Sequence, residues 1–415
     1  MRIMLVAFGT AGDVFPLIGV GRALGKRGHE VHVASLPDHQ SSVERAGLIS
    51  HVLRGIPGIK GLPDFYHPRR SMRVVAERLL IPALEPIYEL LSTLNPAEWT
   101  VFANSQAYGA RIAQEKYGIL LTTFIITPFA LRSVQRMPVT PGIACPQWMP
   151  LVVRRAFLGV ATRLWDRELA PALNAFRKTL GLEAVKDIWY DWCLSPHRVI
   201  GLFPEWYAPN PGDWPAQFRY GGFTVFDEGV SQEVPAELAG PGNPLVVFAA
   251  GSAGQAAADF FQTAITASAS QSWRAVLLTG EPVNSSYTPL PANVFRYSYV
   301  PLSQLLRLSS LVVHHGGTGT TSLALAAGVP QVVVPFGHDQ FDNAVRIEQL
   351  GVGRRVLKSA DLPRRLRMTI AQMLQDHSLL TRCRTLAPSA AVDASLTAVC
   401  ELIEADTRSA REGTG

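Results

Sequence analysis

The sequence predicts an α/β protein made of two successive doubly wound halves, parallel sheets flanked by helices, facing each other across a cleft. Three observations carry this. The chain has 415 residues, too many for one ordinary core and suited to two domains of roughly 200 residues each. Short apolar runs typical of buried parallel strands alternate with stretches of helical period. The same strand–helix–strand grammar begins twice, at residue 2 and near residue 244, with a segment rich in proline and glycine before the second start.

The first unit opens with Arg2–Phe8 as a strand and GTAGDVFP as a loop. A helix over Leu17–Arg27 follows, stopped by Gly28, and then a strand at Glu30–Ser35. This β-α-β opening requires a right-handed crossover. Further on, Trp99–Ala103 reads as a strand, Gly109–Tyr117 as a helix, and Leu120–Ile126 and Val199–Phe203 as strands. The stretches 57–73 and 128–150 have no period and are rich in proline, aromatics and arginine, which suits either functional loops or poorly ordered ones. The domain assignment is 1–210 for an N-terminal Rossmann-like unit, 211–243 for a linker, 244–390 for a C-terminal Rossmann-like unit, and 391–415 for a closing helix and tail.

The second unit starts with Leu245–Ala249 as a strand closed by Gly251-Ser252-Ala253-Gly254, then a helix over Ala256–Ser268. Strands follow at Arg274–Thr279, Phe295–Val300, Leu311–His314, Gln331–Pro335 and Gly353–Leu357. Helices are expected at Ser303–Leu308, Thr318–Ala327, Asp342–Gly351, Leu362–Gln375 and Ala390–Ile403, with a frayed TRSAREGTG tail.

Hydrophobic residues make up 47% of the chain and charged residues 17%, which excludes a disordered protein. A net charge of +5 is spread along the chain without basic clusters, so nucleic-acid binding is not expected. The four cysteines are far apart and form no CxxC pair, so neither a zinc site nor a disulfide framework is expected. The apolar run Ile3–Phe8 is too short for a signal peptide, and no long uninterrupted apolar stretch predicts a spanning helix. A cytoplasmic protein is expected, with peripheral contact to a membrane surface open because Leu151–Trp165 is basic and amphipathic.

The strongest chemical motif is LVVHHGGTGTTSLALAAGVPQVVVPFGHDQ, residues 311–340. A buried strand ends in two histidines, and glycines open a helix at Thr318. The first N–H groups of a helix lack intrahelical partners and sit at the positive end of its dipole, so they favour an anion. His315, Gly317, Gly319 and Thr320 thus form a candidate diphosphate cradle. No lysine follows the glycines as in a Walker loop, and the pattern is not GxGxxG with a downstream acid. Asp339 and Gln340 follow the next strand and suit sugar hydroxyls, although Asp339 equally suits a helix N-cap. The second motif, Gly9 to Pro16, carries Asp13, either a general base whose pKa burial must raise or a helix N-cap.

These blocks resemble glycosyltransferase family 1. GTAGDVFPLIGVGRAL, GARIAQEKYGI, FPEWYAPNPGDWP and SLALAAGVPQVVVPFGHDQFDNA are similar to the rhamnosyltransferases of rhamnolipid biosynthesis, and they span nearly the whole chain. The resemblance implies a GT-B fold, inversion at the anomeric carbon, no metal or other cofactor, and a dTDP- or UDP-sugar donor. It implies Asp13 as base, His315 with Gly317, Gly319 and Thr320 on the donor phosphates, Asp339 and Gln340 on the sugar, Val300 at the nucleobase, and Ser252 on the phosphate side. Plant members pair a loop histidine with an aspartate near the position of Asn104; here that dyad is absent. The implied acceptor is a hydroxy-fatty acid or glycolipid, with a polyketide-type aglycone as the alternative. Phe15, Phe65, Phe129 and Trp148 are candidates to line its pocket or to be ordinary core. A sugar-nucleotide epimerase and a non-catalytic nucleotide-binding partner are the rival classes.

Overall fold

The computed structural model describes residues 1–58, 62, 64–67, 70–140, 145–226, 233–240, 242–251, 255–280 and 290–412. The chain divides into two compact units, Met1–Phe226 with Val392–Gly415, and Asp227–Ala391.

Among the described residues the first unit holds seven strands: β1 (Arg2–Ala7), β2 (Glu30–Ser35), β3 (Ile49–Val52), β4 (Trp99–Asn104), β5 (Leu120–Ile125), β6 (Arg198–Gly201) and β7 (Phe218–Tyr220). They form one sheet in the order β3-β2-β1-β4-β5-β6-β7. Every pairing is parallel. Both faces of such a sheet are covered, which is why β1 reads as a continuous apolar run: Ile3, Met4, Leu5, Val6 and Ala7 are all fully buried.

The second unit repeats this plan with β8 (Leu245–Ala249), β9 (Arg274–Leu278), β10 (Val294–Tyr297), β11 (Leu311–His314), β12 (Gln331–Val333) and β13 (Gly353–Arg355). Their order is β10-β9-β8-β11-β12-β13. In each sheet the strand order reverses once, between β1 and β4 and between β8 and β11. Ligands of doubly wound sheets bind beyond the carboxyl ends of the strands at this switch point. The loops leaving β1 and β11 carry the two motifs.

Three expectations need correction. The helix expected at Leu17–Arg27 begins at Ala11 and keeps Pro16 inside it, forgoing the one hydrogen bond that an N–H at this position would give to the Gly12 carbonyl. The segment 211–243 is not a plain linker: it contains β7 and a short helix, Ala236–Ala239. The irregular stretch 128–150 is followed, as a separate element, by one long helix, Leu151–Thr179. The tail is helical to Glu412, because Val392–Glu412 packs back on the first unit and buries Val399, Cys400 and Ile403 in its core. His377–Glu412 is, among the described residues, a helical stretch long and apolar enough by composition to cross a membrane; a 3₁₀ turn at Ala387–Ala390 interrupts it.

Candidate functional site

In the second unit, β11 ends at His314 and the helix Thr318–Ala327 begins three residues after His315, with Gly317 as its N-cap. His314 organises this turn. It is fully buried, and its Nδ1 accepts from the Gly316 N–H at 3.1 Å. The proton must therefore lie on Nε2, which donates to Gln331 Oε1 at 2.9 Å. Burial, with His315 as neighbour, pushes the pKa of His314 down to about 3.

His315 lies differently. Its ring stacks on Phe336 at 5.8 Å and 21°. It fits only because its neighbours lack side chains: a Cβ on Gly317 would fall 2.6 Å from His315 Nε2, and one on Gly251 would fall 2.9 Å from Cε1. Burial lowers its pKa to about 4, with the Ala249 backbone opposing weakly, so the ring is neutral at pH 7. Its Nδ1 is buried without a hydrogen-bond partner among the described residues. A neutral imidazole beside a helix N-terminus offers an N–H to an anion and no repulsion to a neutral sugar.

Gly319 and Thr320 lie in the first turn of that helix and are half-exposed. Among the described residues, a Cβ on Gly319 would meet nothing within 4 Å. Val300 is buried in the core beneath β11, so its side chain serves packing and only its backbone is available to a ligand. Ser252 lies outside the described residues.

Asp339 stands at the N-cap position of the helix Gln340–Gln349, yet its side chain makes no cap hydrogen bond. The carboxylate instead accepts from Asn343 Nδ2 at 3.0 Å and lies 3.5 Å from Thr318 Oγ1. Asn343 is fully buried, and its Nδ2 also donates to the Gly316 carbonyl at 2.9 Å. One amide thus ties the histidine–glycine turn to the aspartate of the following loop. Gln340 is buried, and its Oε1 accepts from the N–H groups of Phe336 and Gly337 at 2.8 and 3.1 Å. Its Nε2 is the group left to face a ligand.

In the first unit, Asp13 sits in the first turn of the helix Ala11–Lys26. Its Oδ2 accepts from the Thr10 N–H and the Thr10 hydroxyl, each at 2.8 Å. Both readings of Asp13 meet here: it closes a capping box, and it is a half-buried carboxylate. Burial pushes its pKa above the usual carboxylate value, with the two Thr10 donors pulling part of the way back. Gly9, at φ 130°, permits this: a Cβ there would lie 2.5 Å from Asp13 Oδ2. Asn104, at the end of β4, exchanges two hydrogen bonds with the Phe8 backbone, Oδ1 accepting at 3.1 Å and Nδ2 donating at 2.6 Å. It closes the switch point and leaves Asp13 without a partner carboxylate or imidazole from that position.

The four aromatic candidates are dispersed. Phe15 packs on the core edge, its ring against Phe226 and His39 at 6.2 Å each. Phe65 meets Tyr66 at 5.0 Å, and Phe129 is half-buried in a 3₁₀ turn. Trp148 is 80% exposed. A pocket of about 800 Å³ in this unit holds none of them; Arg111, Arg132, Arg155 and Lys186 are among its lining residues. All four cysteines are buried and unbridged.

Sequence reasoning missed Thr10, Gln331, Phe336 and Asn343. Asn343 was within reach, since a residue four positions after Asp339 on a helix lies on the same face.

Comparison with known proteins agrees with this layout. Residues 3–135 match the glycosyltransferase family 28 N-terminal domain, and residues 272–405 the erythromycin biosynthesis protein CIII-like C-terminal domain. The O-mycaminosyltylonolide 6-deoxyallosyltransferase of Streptomyces fradiae is 28% identical across all of both chains. A sterol 3-beta-glucosyltransferase of Arabidopsis thaliana is 27% identical over 90% of this chain and 63% of its own length. Among solved structures, the glycosyltransferase VinC in complex with dTDP superposes with a TM-score of 0.68 at 20% identity, covering 98% of this chain and 100% of that one.

Proposed function

We propose that this chain, a glycosyltransferase of the GT-B fold, moves a sugar from a dTDP- or UDP-linked donor onto a hydroxyl of an apolar natural-product acceptor, inverting the anomeric centre. The single observation that carries this reading is the turn at 314–318: a helix N-terminus, a glycine-lined gap and a neutral histidine converge where a doubly wound sheet receives its ligand.

In the proposed reaction the Asp13 carboxylate takes the proton of the acceptor hydroxyl. That oxygen attacks the anomeric carbon as the bond to the donor's terminal phosphate oxygen breaks, and the nucleoside diphosphate leaves. The N–H groups at Thr318–Thr320 and the His315 ring offset the charge that develops on the diphosphate. Asp339 and the Nε2 of Gln340 hold sugar hydroxyls, and the backbone at Val300 meets the nucleobase. The second unit is the donor side, and the first supplies the base and the acceptor surface.

A macrolide-type acceptor is supported by the Streptomyces fradiae relative, whose name gives a tylonolide substrate and a 6-deoxyhexose, and by the erythromycin-type C-terminal match. The dTDP in the VinC structure favours a thymidine nucleotide. A rhamnose donor with a hydroxy-fatty acyl acceptor is the second reading, favoured by the long stretches resembling rhamnolipid rhamnosyltransferases.

A melting-temperature screen with dTDP, UDP and GDP tests the donor side. Stabilisation by dTDP or UDP that disappears in His315→Ala supports the reading. No stabilisation by any nucleotide refutes it.

A further inference from the structure

The N-terminal half of the helix Leu151–Thr179 presents the wrong residues to water. Twelve large apolar side chains are exposed in the described chain, and six of them fall within Trp148–Leu164: Trp148, Leu151, Val152, Val153, Val160 and Leu164. Single exposed apolar residues are ordinary; a cluster of this size is not.

The helical period sorts the face. At 100° per residue, Val152, Ala156 and Val160 follow one another at four-residue steps, with Leu164 completing the stripe and Arg163 and Arg167 beside it. Leu158, Thr162 and Leu169 lie on the buried side. The helix is apolar on both faces, yet among the described residues only one is covered.

Within the stripe itself the charge has one sign. Leu151–Trp165 contains no carboxylate. Asp166 is turned into the protein, accepting from the backbone N–H groups of Asp187 and Ile188 at 2.8 and 3.0 Å. Glu168 pairs with Arg167 at 3.1 Å. Arg154 is spent on the carbonyls of Met149 and Val134. Arg155 and Arg163 are exposed. Arg155 also lines the 800 Å³ pocket with Arg111, Arg132 and Lys186, against Asp191 and Asp213. Asp213 already accepts from the Val134 and Gln135 N–H groups.

We infer that this face lies on an anionic lipid surface, the apolar stripe entering the headgroup boundary and the arginines meeting lipid phosphates. An apolar stripe interleaved with cations and lacking carboxylates is the pattern of an interfacial helix. The inference does not depend on the donor or acceptor assignments above.

The test is sedimentation of the full chain with vesicles of phosphatidylglycerol and phosphatidylcholine, or of phosphatidylcholine alone, at low and high salt. Binding is expected to the anionic vesicles, weakening with salt. Val152→Glu with Val160→Glu is expected to lower it at least about tenfold, since both charges enter the apolar stripe. Arg155→Glu with Arg163→Glu is expected to remove the preference for anionic lipid. All four sites are exposed, so melting temperature and nucleotide-induced stabilisation should stay unchanged. Equal binding by wild type and both variants, or no vesicle binding at all, overturns the inference. So does a wild-type dimer that the valine variant dissolves, because a second copy then covers the face.

Discussion

Gly9→Ala is the sharpest perturbation the structure offers. At φ 130° a residue with a side chain is strained by about 1–3 kcal/mol. The new methyl would also lie 2.5 Å from Oδ2, 2.8 Å from Cγ and 2.9 Å from Cβ of Asp13. No small shift relieves three such contacts, so the carboxylate must swing away and give up its bonds to the Thr10 N–H and hydroxyl. Bonds to a charged group are worth about 1.5–3 kcal/mol each, part of which water returns to a displaced carboxylate. Strain and lost bonds together predict a loss of about 3–5 kcal/mol. At about 2–4 °C per kcal/mol for a domain of this size, the first unit should melt roughly 10 °C lower. A base displaced by about 1 Å costs on the order of a hundredfold in kcat. The assay is calorimetric melting followed by turnover at a temperature where the variant is folded. Gly319→Ala is the control, since a Cβ there meets nothing among the described residues: it should keep its melting temperature and weaken only nucleotide binding. Gly9→Ala with near wild-type kcat and melting temperature would refute the placement of Asp13.

Three further outcomes are expected. The pKa of Asp13 is raised by burial and partly restored by Thr10, so activity should rise with pH through a value above that of a free aspartate; Thr10→Val removes one stabilising donor and should move this limb further up, read from kcat/KM against pH. Asn343→Leu leaves the Gly316 carbonyl and the Asp339 carboxylate without their shared donor, so donor KM should rise more than kcat falls, with about 1–3 kcal/mol of stability lost in denaturant titration. His314 and His315 stay neutral in the fold to about pH 3 and 4, while the unfolded chain binds protons near pH 6.5; the second unit should therefore lose stability as pH falls from about 6.5 towards 4, and His314→Gln should flatten that loss.

The fold was legible because a parallel sheet buried on both faces writes itself as apolar runs. LVVFA and LVVH are β8 and β11 almost to the residue. The helix start at Thr318 was legible too, since two glycines after a strand leave little else. What failed were boundaries and packing. Pro16 reads as a helix border, but the Thr10–Asp13 capping box starts the helix before it. Three residues, Phe218–Tyr220, are too few to show a strand period. Aromatics look alike in sequence whether they end as core edge, like Phe15, or in solvent, like Trp148. Helical spacing puts Asn343 within reach of Asp339, but its bond to the Gly316 carbonyl was invisible, because that partner belongs to a different element and only the fold brings the two together.

The most direct test of the central claim is product analysis with dTDP- and UDP-deoxyhexoses and a panel of macrolide aglycones and hydroxy-fatty acids. The anomeric configuration is read by NMR, and Asp13→Asn is run beside the wild type. The account predicts a glycoside of inverted configuration, nucleoside diphosphate released in equal amount only when acceptor is present, and a rate reduced by about 10²–10⁴ in Asp13→Asn. A product of retained configuration, nucleotide release independent of acceptor, or an undiminished rate in Asp13→Asn would contradict it.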